Sequence, residues 1–454
     1  MSMKPDLHPH DGQGPEVDRR TLLGSALVLG GAMAVGSALP AAAAPQIHTA
    51  SALRGTSRGR HKFRNSMSVT PFTEVVLGQT SLMDGKHRAR TVRGVQELFN
   101  HHGASEMYVR VATLKQARDG DAEHGLTRAL ERARLARKLG MPLNPELGLW
   151  AIYGDIALQP SPDFSDYPQI TLPGPWITLT IDQMCTAMRS YGRLVARQIL
   201  STGVDVNVWD LGNEVEFGVA GVAVRSYTTS AHDWTYQPPD AVNPEIGKVG
   251  AFDLFAMSSE DRVDWLKTNL WPYVGRIFAA VADGIRSVDR HAKFSTHTSS
   301  TVPLLPGVAV AFWQSMADAG FEAAHLGSSY YPTSVAFGDQ LAGFKDMATT
   351  LHDTFGKPVF LAETGYPSGS MGSPYAWNAA VDGYPLDADG QYRFFRDLTQ
   401  WGATEGTVSG IRLWAPDYCT THWQPMSGFA SQVDNRASAK PVLDAVRDGL
   451  KLAR

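Results

Sequence analysis

Short apolar runs alternate along this chain with longer segments whose apolar residues recur at helical spacing. The runs lie at Glu74–Gly78, Met107–Ala112, Met141–Leu149, Val206–Leu211, Lys293–Ser295, His325–Tyr331, Val359–Ala362 and Val408–Trp414. Runs this short, bounded by turn residues, read as buried parallel strands. Between them lie helical segments at Arg88–His102, Ala122–Leu139, Ile181–Leu200, Ser259–Val288, Leu305–Ala319, Gly338–Phe355 and Asp387–Trp401, and Ser438–Leu450 closes the chain. In the second of these, Leu126, Leu130 and Ala133 form one stripe, charged residues surround it, and Gly140 supplies the stop. Strand followed by helix, eight times over, predicts an α/β chain closed into a (β/α)8 TIM barrel. An open doubly wound sheet would share the alternation, but no GxGxxG turn follows the first strand.

Two long loops interrupt the pattern, one after the third strand and one, Val219 to Met257, after the fourth. Loops that follow barrel strands line the face where chemistry sits, so these two are expected to wall a groove. The second contains Tyr227, His232, Trp234 and Tyr236.

The N-terminus reads as an address. Arg19-Arg20 precedes a weakly apolar, glycine-dotted stretch that ends in Ala42-Ala43-Ala44, which predicts a twin-arginine (Tat-type) export signal over residues 1–44 and a secreted protein. A membrane anchor is the competing reading, and the alanine-rich end favours cleavage and no membrane contact afterwards. Residues 45–70, polar with scattered arginines, read as a linker, and 71–454 as the catalytic barrel. The net charge of −4 comes without a basic stripe, which argues against a nucleic-acid partner. Cys185 and Cys419 are the only cysteines, too few for a disulfide framework or a cysteine metal site; two free thiols are favoured over one bridge. No metal motif stands out, so no cofactor is expected. Asp382, Asp387 and Asp389 could hold a structural calcium, but their spacing is not that of an EF-hand loop and surface acids are the favoured reading.

The candidate chemistry sits where two apolar runs stop. WDLGNEVEFG ends the fourth strand on Asn213 and Glu214, and VFLAETGYP ends the seventh on Glu363. Strands four and seven stand on opposing sides of a barrel, so their terminal side chains can meet over its mouth. A carboxyl pair in that position is what glycosidic-bond hydrolysis needs; a spacing of about 5 Å gives retention, and about 6.5–9.5 Å gives inversion. GxSxG and HExxH motifs are missing.

These two segments resemble the acid/base and nucleophile segments of clan A retaining glycoside hydrolases, and most closely the arabinogalactan endo-β-1,4-galactanases of family 53. TRALERARLARKLGM, GPW, THTS, SSYYPT and YPLDADGQYRFFRDL resemble other pieces of that family in the same order, over roughly Thr73 to Trp414. The resemblance implies Glu214 as acid/base and Glu363 as nucleophile, with Asn213 bonding the hydroxyl next to the reacting carbon. It implies that Arg110 keeps the nucleophile ionised, a structural salt bridge being the alternative, and that His297 faces the sugar unless it is a buried, satisfied histidine. Of Tyr330 and Tyr331 only one can face inward, because strand side chains alternate. Trp414 would be a stacking platform, or else core. The chain departs from the family after strand three, where PELGLWAIYGD lacks a sugar-contacting histidine and offers Trp150, Tyr153 or Asp155 instead. It departs again at Ala112, where a second arginine is absent, and at Ala415, where Trp-Glu-Pro becomes Trp-Ala-Pro. The expected activity is retaining endo-hydrolysis of β-1,4-galactan by a monomer whose partner is a polysaccharide or oligosaccharide. The alternatives are another β-glycan such as mannan or glucan, or an inactive carbohydrate-binding barrel.

Overall fold

The structure, a computed structural model, describes residues 62–119, 122–156, 158–225, 240–305, 307–334, 340–373 and 375–454. The export signal, most of the expected linker and the residues Tyr227, His232, Trp234 and Tyr236 lie outside the described residues. The chain folds as a (β/α)8 barrel. Its strands are β1 (Arg64–Ser66), β2 (Met107–Val111), β3 (Leu143–Leu147), β4 (Trp209–Leu211), β5, β6 (Leu326–Tyr330), β7 (Val359–Thr364) and β8 (Val408–Leu413).

All strand neighbours are parallel, and they run β1-β8-β7-β6 on one side and β4-β3-β2 on the other. β5 joins the two arcs by splitting. Phe294–Ser295 pairs with β4, and His297–Thr298 pairs with β6. The remaining seam, between β1 and β2, closes mainly through side chains, with one backbone bond from Ser105 N–H to the Asn65 carbonyl at 2.8 Å. Asn65 N–H donates to the Ser105 hydroxyl at 2.9 Å, and Tyr108 N–H to the Ser68 hydroxyl at 3.0 Å.

β1 corrects the sequence reading. The segment expected as the first strand, Glu74–Gly78, lies in a helix, Thr73–Gln79, and the true strand falls inside the supposed linker. Its residues, Arg-Asn-Ser, are polar yet buried because the barrel interior answers them. Arg64 pairs with the fully buried Glu106 at 3.2 Å and lies 3.8 Å from the Phe360 ring centroid. Hydrophobic periodicity cannot find a strand whose inward face is ionic.

Helix Ile181–Leu200 has the bounds its pattern predicts, and Thr180 and Gln183 form a capping box at its start. The long helix expected over Ser259–Val288 is two, Ser259–Asn269 and Trp271–Arg286, because Pro272 can donate no amide hydrogen across the join. The start of the expected Arg88–His102 helix is instead a hairpin, Ser81–Asp84 with His87–Ala89, turned by Gly85 at φ 56°. Both cysteines are buried and neither is in a disulfide.

Candidate active site

The barrel strands deliver the polar groups in register. Arg110 on β2 lies beside Glu146 on β3, and Glu146 beside Asp210 on β4. β4 then ends in a tight turn, with Gly212 at φ 74° and Glu214 at φ 51°. A Cβ at Gly212 would stand 2.4 Å from Val215, so only glycine fits there. Glutamate is rarely left-handed, and backbone strain of this kind is held in place only where surrounding contacts over-determine it. Here Gly212 N–H bonds to Leu147 at 2.7 Å and Val215 N–H to His297 at 3.1 Å, so β3 and β5 clamp the turn.

Arg110 is the hub. Its Nε donates to Glu146 at 2.5 Å, and its Nη2 donates to both Asn213 Oδ1, at 3.0 Å, and Glu363 Oε1. Glu363 Oε2 accepts from Tyr331 at 3.0 Å. Asn213 is held on every side. Its Oδ1 also accepts from His297 Nε2 at 2.8 Å, its Nδ2 donates to Gly154 at 2.8 Å, and its carbonyl accepts from Gln159 at 2.7 Å. These contacts fix the amide orientation and place the His297 proton on Nε2.

The two glutamates differ in their surroundings. Burial pushes the Glu214 carboxyl well above the usual range, and the negative charge of Glu363, then Asp155, pushes it further. The Ser329 hydroxyl opposes the rise. Burial also raises Glu363, but the Arg110 guanidinium beside it and the bonds from Arg110 and Tyr331 pull it back. Burial thus raises both carboxyls, and Glu363 is the one with a cation beside it to oppose the rise.

The remaining predicted residues divide. Tyr331 faces the site, whereas Tyr330 stacks on Phe344 at 4.2 Å and packs outward against helices. His297 is fully buried and orients Asn213; burial and the Arg110 charge push its imidazole down to about 3, so it stays neutral. Trp414 meets Trp423 edge-on at 4.6 Å and lines a cleft with Ser68, Phe72, Tyr108, Arg110 and His124. Among the candidates after β3, Trp150 is fully buried, while Tyr153 stands over Arg110, 5.6 Å from ring centroid to guanidinium. Tyr153 feels the charges of both Glu363 and Glu214. The Asp155 backbone carbonyl accepts from Gln159 at 2.9 Å.

The two long loops pack on one another beside Glu214. Trp176 Nε1 donates to the Ala220 carbonyl at 2.7 Å, and Gly221 N–H to Gln159 at 3.1 Å.

The sequence reading missed two residues. Glu146, 0 % exposed, accepts from Arg110 and from the Tyr108 hydroxyl at 3.0 Å, and fixes the hub from behind. An acid in the middle of an apolar strand was the available signal. The other is His124, whose segment reads as the start of a helix. Of the acids considered for calcium, Asp387 caps helix Ala388–Glu405 through Gly390 N–H at 2.7 Å, and Asp389 pairs with Arg393 at 2.7 Å. Among the described residues no helix is long and apolar enough to cross a membrane.

Comparison with known proteins gives the family and the fold. The family model of Glycosyl hydrolase family 53 matches residues 76–445. The chain is similar to the arabinogalactan endo-beta-1,4-galactanase A of Emericella nidulans, 23% identical over 69% of this chain and 74% of that one. It is also similar to a probable arabinogalactan endo-beta-1,4-galactanase A of Aspergillus tubingensis, 22% identical over 67% and 70%. In fold it resembles the family 53 catalytic domain of Ignisphaera aggregans, with TM-score 0.60 and 15% identity over 86% of this chain and 96% of that one. A fungal beta-1,4-galactanase structure matches with TM-score 0.59 and 15% identity over 84% and 98%.

Proposed function

This chain belongs to glycosyl hydrolase family 53, and on that premise we propose that it is a secreted, retaining endo-glycosidase that cleaves β-1,4-galactan or arabinogalactan by double displacement. It is a glycoside hydrolase, with a polysaccharide as its substrate. The names of its relatives support galactan as that polysaccharide, and the Tat-like leader supports export.

One observation carries the division of labour: Glu363 is bonded to a guanidinium and a phenol, while the charges that act most on Glu214 are those of other acids, and its carboxyl takes, besides the Ser329 hydroxyl, only a weak backbone bond from Ile156 N–H at 3.5 Å. Glu363, ionised, attacks the anomeric carbon as the bond to the leaving oxygen breaks. Glu214 gives its proton to that oxygen. Once Glu363 is an ester its charge is gone, and with it the main charged neighbour holding Glu214 protonated. Glu214 can then take a proton from water, whose oxygen attacks the anomeric carbon and returns Glu363 as a carboxylate. Retention calls for the two carboxyls to stand about 5 Å apart, and the mutual influence of Glu214 and Glu363 is in keeping with neighbours. Asn213 would bond the neighbouring sugar hydroxyl; its oxygen is held by Arg110 and His297 and its Nδ2 by Gly154, and a group already held costs little reorganisation as charge develops.

The test is stereochemical. Proton NMR of freshly cleaved β-1,4-galactan should show the β-anomer first; initial release of the α-anomer would refute double displacement. Glu363→Ala should lose activity by several orders of magnitude, and azide should restore it with an α-glycosyl azide as product. Glu214→Gln should lower turnover on galactan by about 10²- to 10⁴-fold and spare substrates whose leaving group needs no proton.

A further inference from the structure

Resting on that reading, we propose that His124 is a substrate-specificity residue that grips a pyranose hydroxyl of the bound polysaccharide in the cleft between Arg110 and Trp414. Its placement is built rather than incidental. A small hairpin, Arg118–Asp119 with Ala122–Glu123, delivers it over β2. Its backbone is pinned at both ends: its N–H donates to Ala117 at 2.9 Å, and its carbonyl accepts from Ala112 at 2.7 Å. Gly125 follows, where any Cβ would stand 2.3 Å from the Lys115 carbonyl oxygen, so the loop closes in only one way.

The side chain lines the cleft with Phe72, Tyr108, Arg110 and Trp414, yet it is only 4 % exposed. Its ring stands edge-on to Trp150 at 6.1 Å and tilted to Tyr153 at 5.7 Å. Those aromatic contacts use the ring and leave its nitrogens out. Nδ1 is buried and has no hydrogen-bond partner among the described residues. Nε2 is not sealed in this way, so it is the nitrogen that reaches the cleft and can take a ligand hydroxyl as its partner. The imidazole is pushed down to about 3 by burial and by the Arg110 charge, so it is neutral wherever the enzyme works. A neutral ring offers one donor and one acceptor, and a sugar hydroxyl can answer either. A pyranose lying on the Trp414 ring would present its apolar face to the indole and its rim hydroxyls to Arg110 and His124. That pairing of a flat apolar surface with convergent polar groups is how concave sites select among ligands of equal size.

Steady-state kinetics on β-1,4-galactan, β-1,4-mannan and β-1,4-glucan would test this with three variants. His124→Phe keeps the ring and loses the hydrogen bond; it should raise KM for the preferred glycan about tenfold with kcat little changed, and flatten the preference among the three. His124→Gln should recover much of both, and His124→Ala should resemble the phenylalanine variant. Diethyl pyrocarbonate labelling of the Glu214→Gln chain, which keeps His124, reads the same contact directly: galactotetraose should protect His124. Equal labelling with and without the sugar counts against it. Galactan cleavage with KM and preference unmoved in His124→Phe overturns the inference and leaves the proposed function standing. An intact chain inert toward all three glycans overturns both.

Discussion

Glu214 and Glu363 carry the same functional group, and their neighbours set their chemistry apart. Arg110 is the neighbour that matters most for Glu363, because it alone brings a full positive charge to the carboxyl. The rate against pH should therefore be a bell. Its acidic limb follows protonation of Glu363, and its alkaline limb follows loss of the Glu214 proton, displaced upward by burial and by Glu363 itself. Arg110→Lys gives a sharper reading. Lysine cannot reach Glu146, Asn213 and Glu363 together as the guanidinium does. Glu363 should lose stabilisation of its charge, and the acidic limb should move to higher pH while the maximal rate falls. An unmoved acidic limb would mean that Arg110 acts only as scaffold. Glu214, Glu363 and Asn213 were open to sequence reasoning because each follows an apolar run. Glu146 left only the signal of an acid inside an apolar strand, and His124 left none, because the contacts of both come from residues distant in the chain.

Two elements show how much packing detail periodicity leaves out. Helices Ile181–Leu200 and Trp271–Arg286 approach so closely that a Cβ at Gly284 would stand 2.1 Å from the Arg189 carbonyl oxygen, and one at Gly192 would stand 2.5 Å from that of Val281. Backbone cannot yield as a side-chain tip can, so Gly284→Ala should cost about 1–3 kcal/mol. Chemical denaturation would measure it, and an unchanged midpoint would show that the helices can part without penalty. The apolar stripes of both helices are plain in the sequence; the distance between their axes is not. β1 is the opposite case. Its inward residues are polar, so the apolar pattern that marks its seven partners passes over it and falls instead on Glu74–Gly78, part of the helix Thr73–Gln79.

The barrel interior is charged through much of its depth. Below the catalytic hub, Arg412 on β8 donates to Asp210 at 3.0 Å, to the Ala362 carbonyl at 3.0 Å and to Asn144, and stands 3.8 Å from the Tyr108 ring centroid. One side chain thus ties strands from both arcs of the barrel together. Arg412→Ala would leave Asp210 buried without its partner, and breaking such a pair costs about 3–5 kcal/mol. Thermal unfolding should register the loss as a marked fall in Tm. Arg412→Ala combined with Asp210→Asn should recover part of it; no recovery would place the cost in lost packing rather than in the stranded charge. An ionic interior also explains why the catalytic groups stand ready: Arg110 and Glu146 are held by the network that closes the barrel.

Local order along the chain is enough to establish the alternation of strand and helix, the barrel it implies, and the two acids at strand ends. All of these depend on residues close in sequence, whose period and punctuation carry the information. Which tyrosine turns inward, which glutamate has a cation beside it, where the first strand lies and what stands behind Arg110 depend on partners brought together from tens to hundreds of residues away. Burial and Coulomb fields act through space, and space is settled only when the barrel closes.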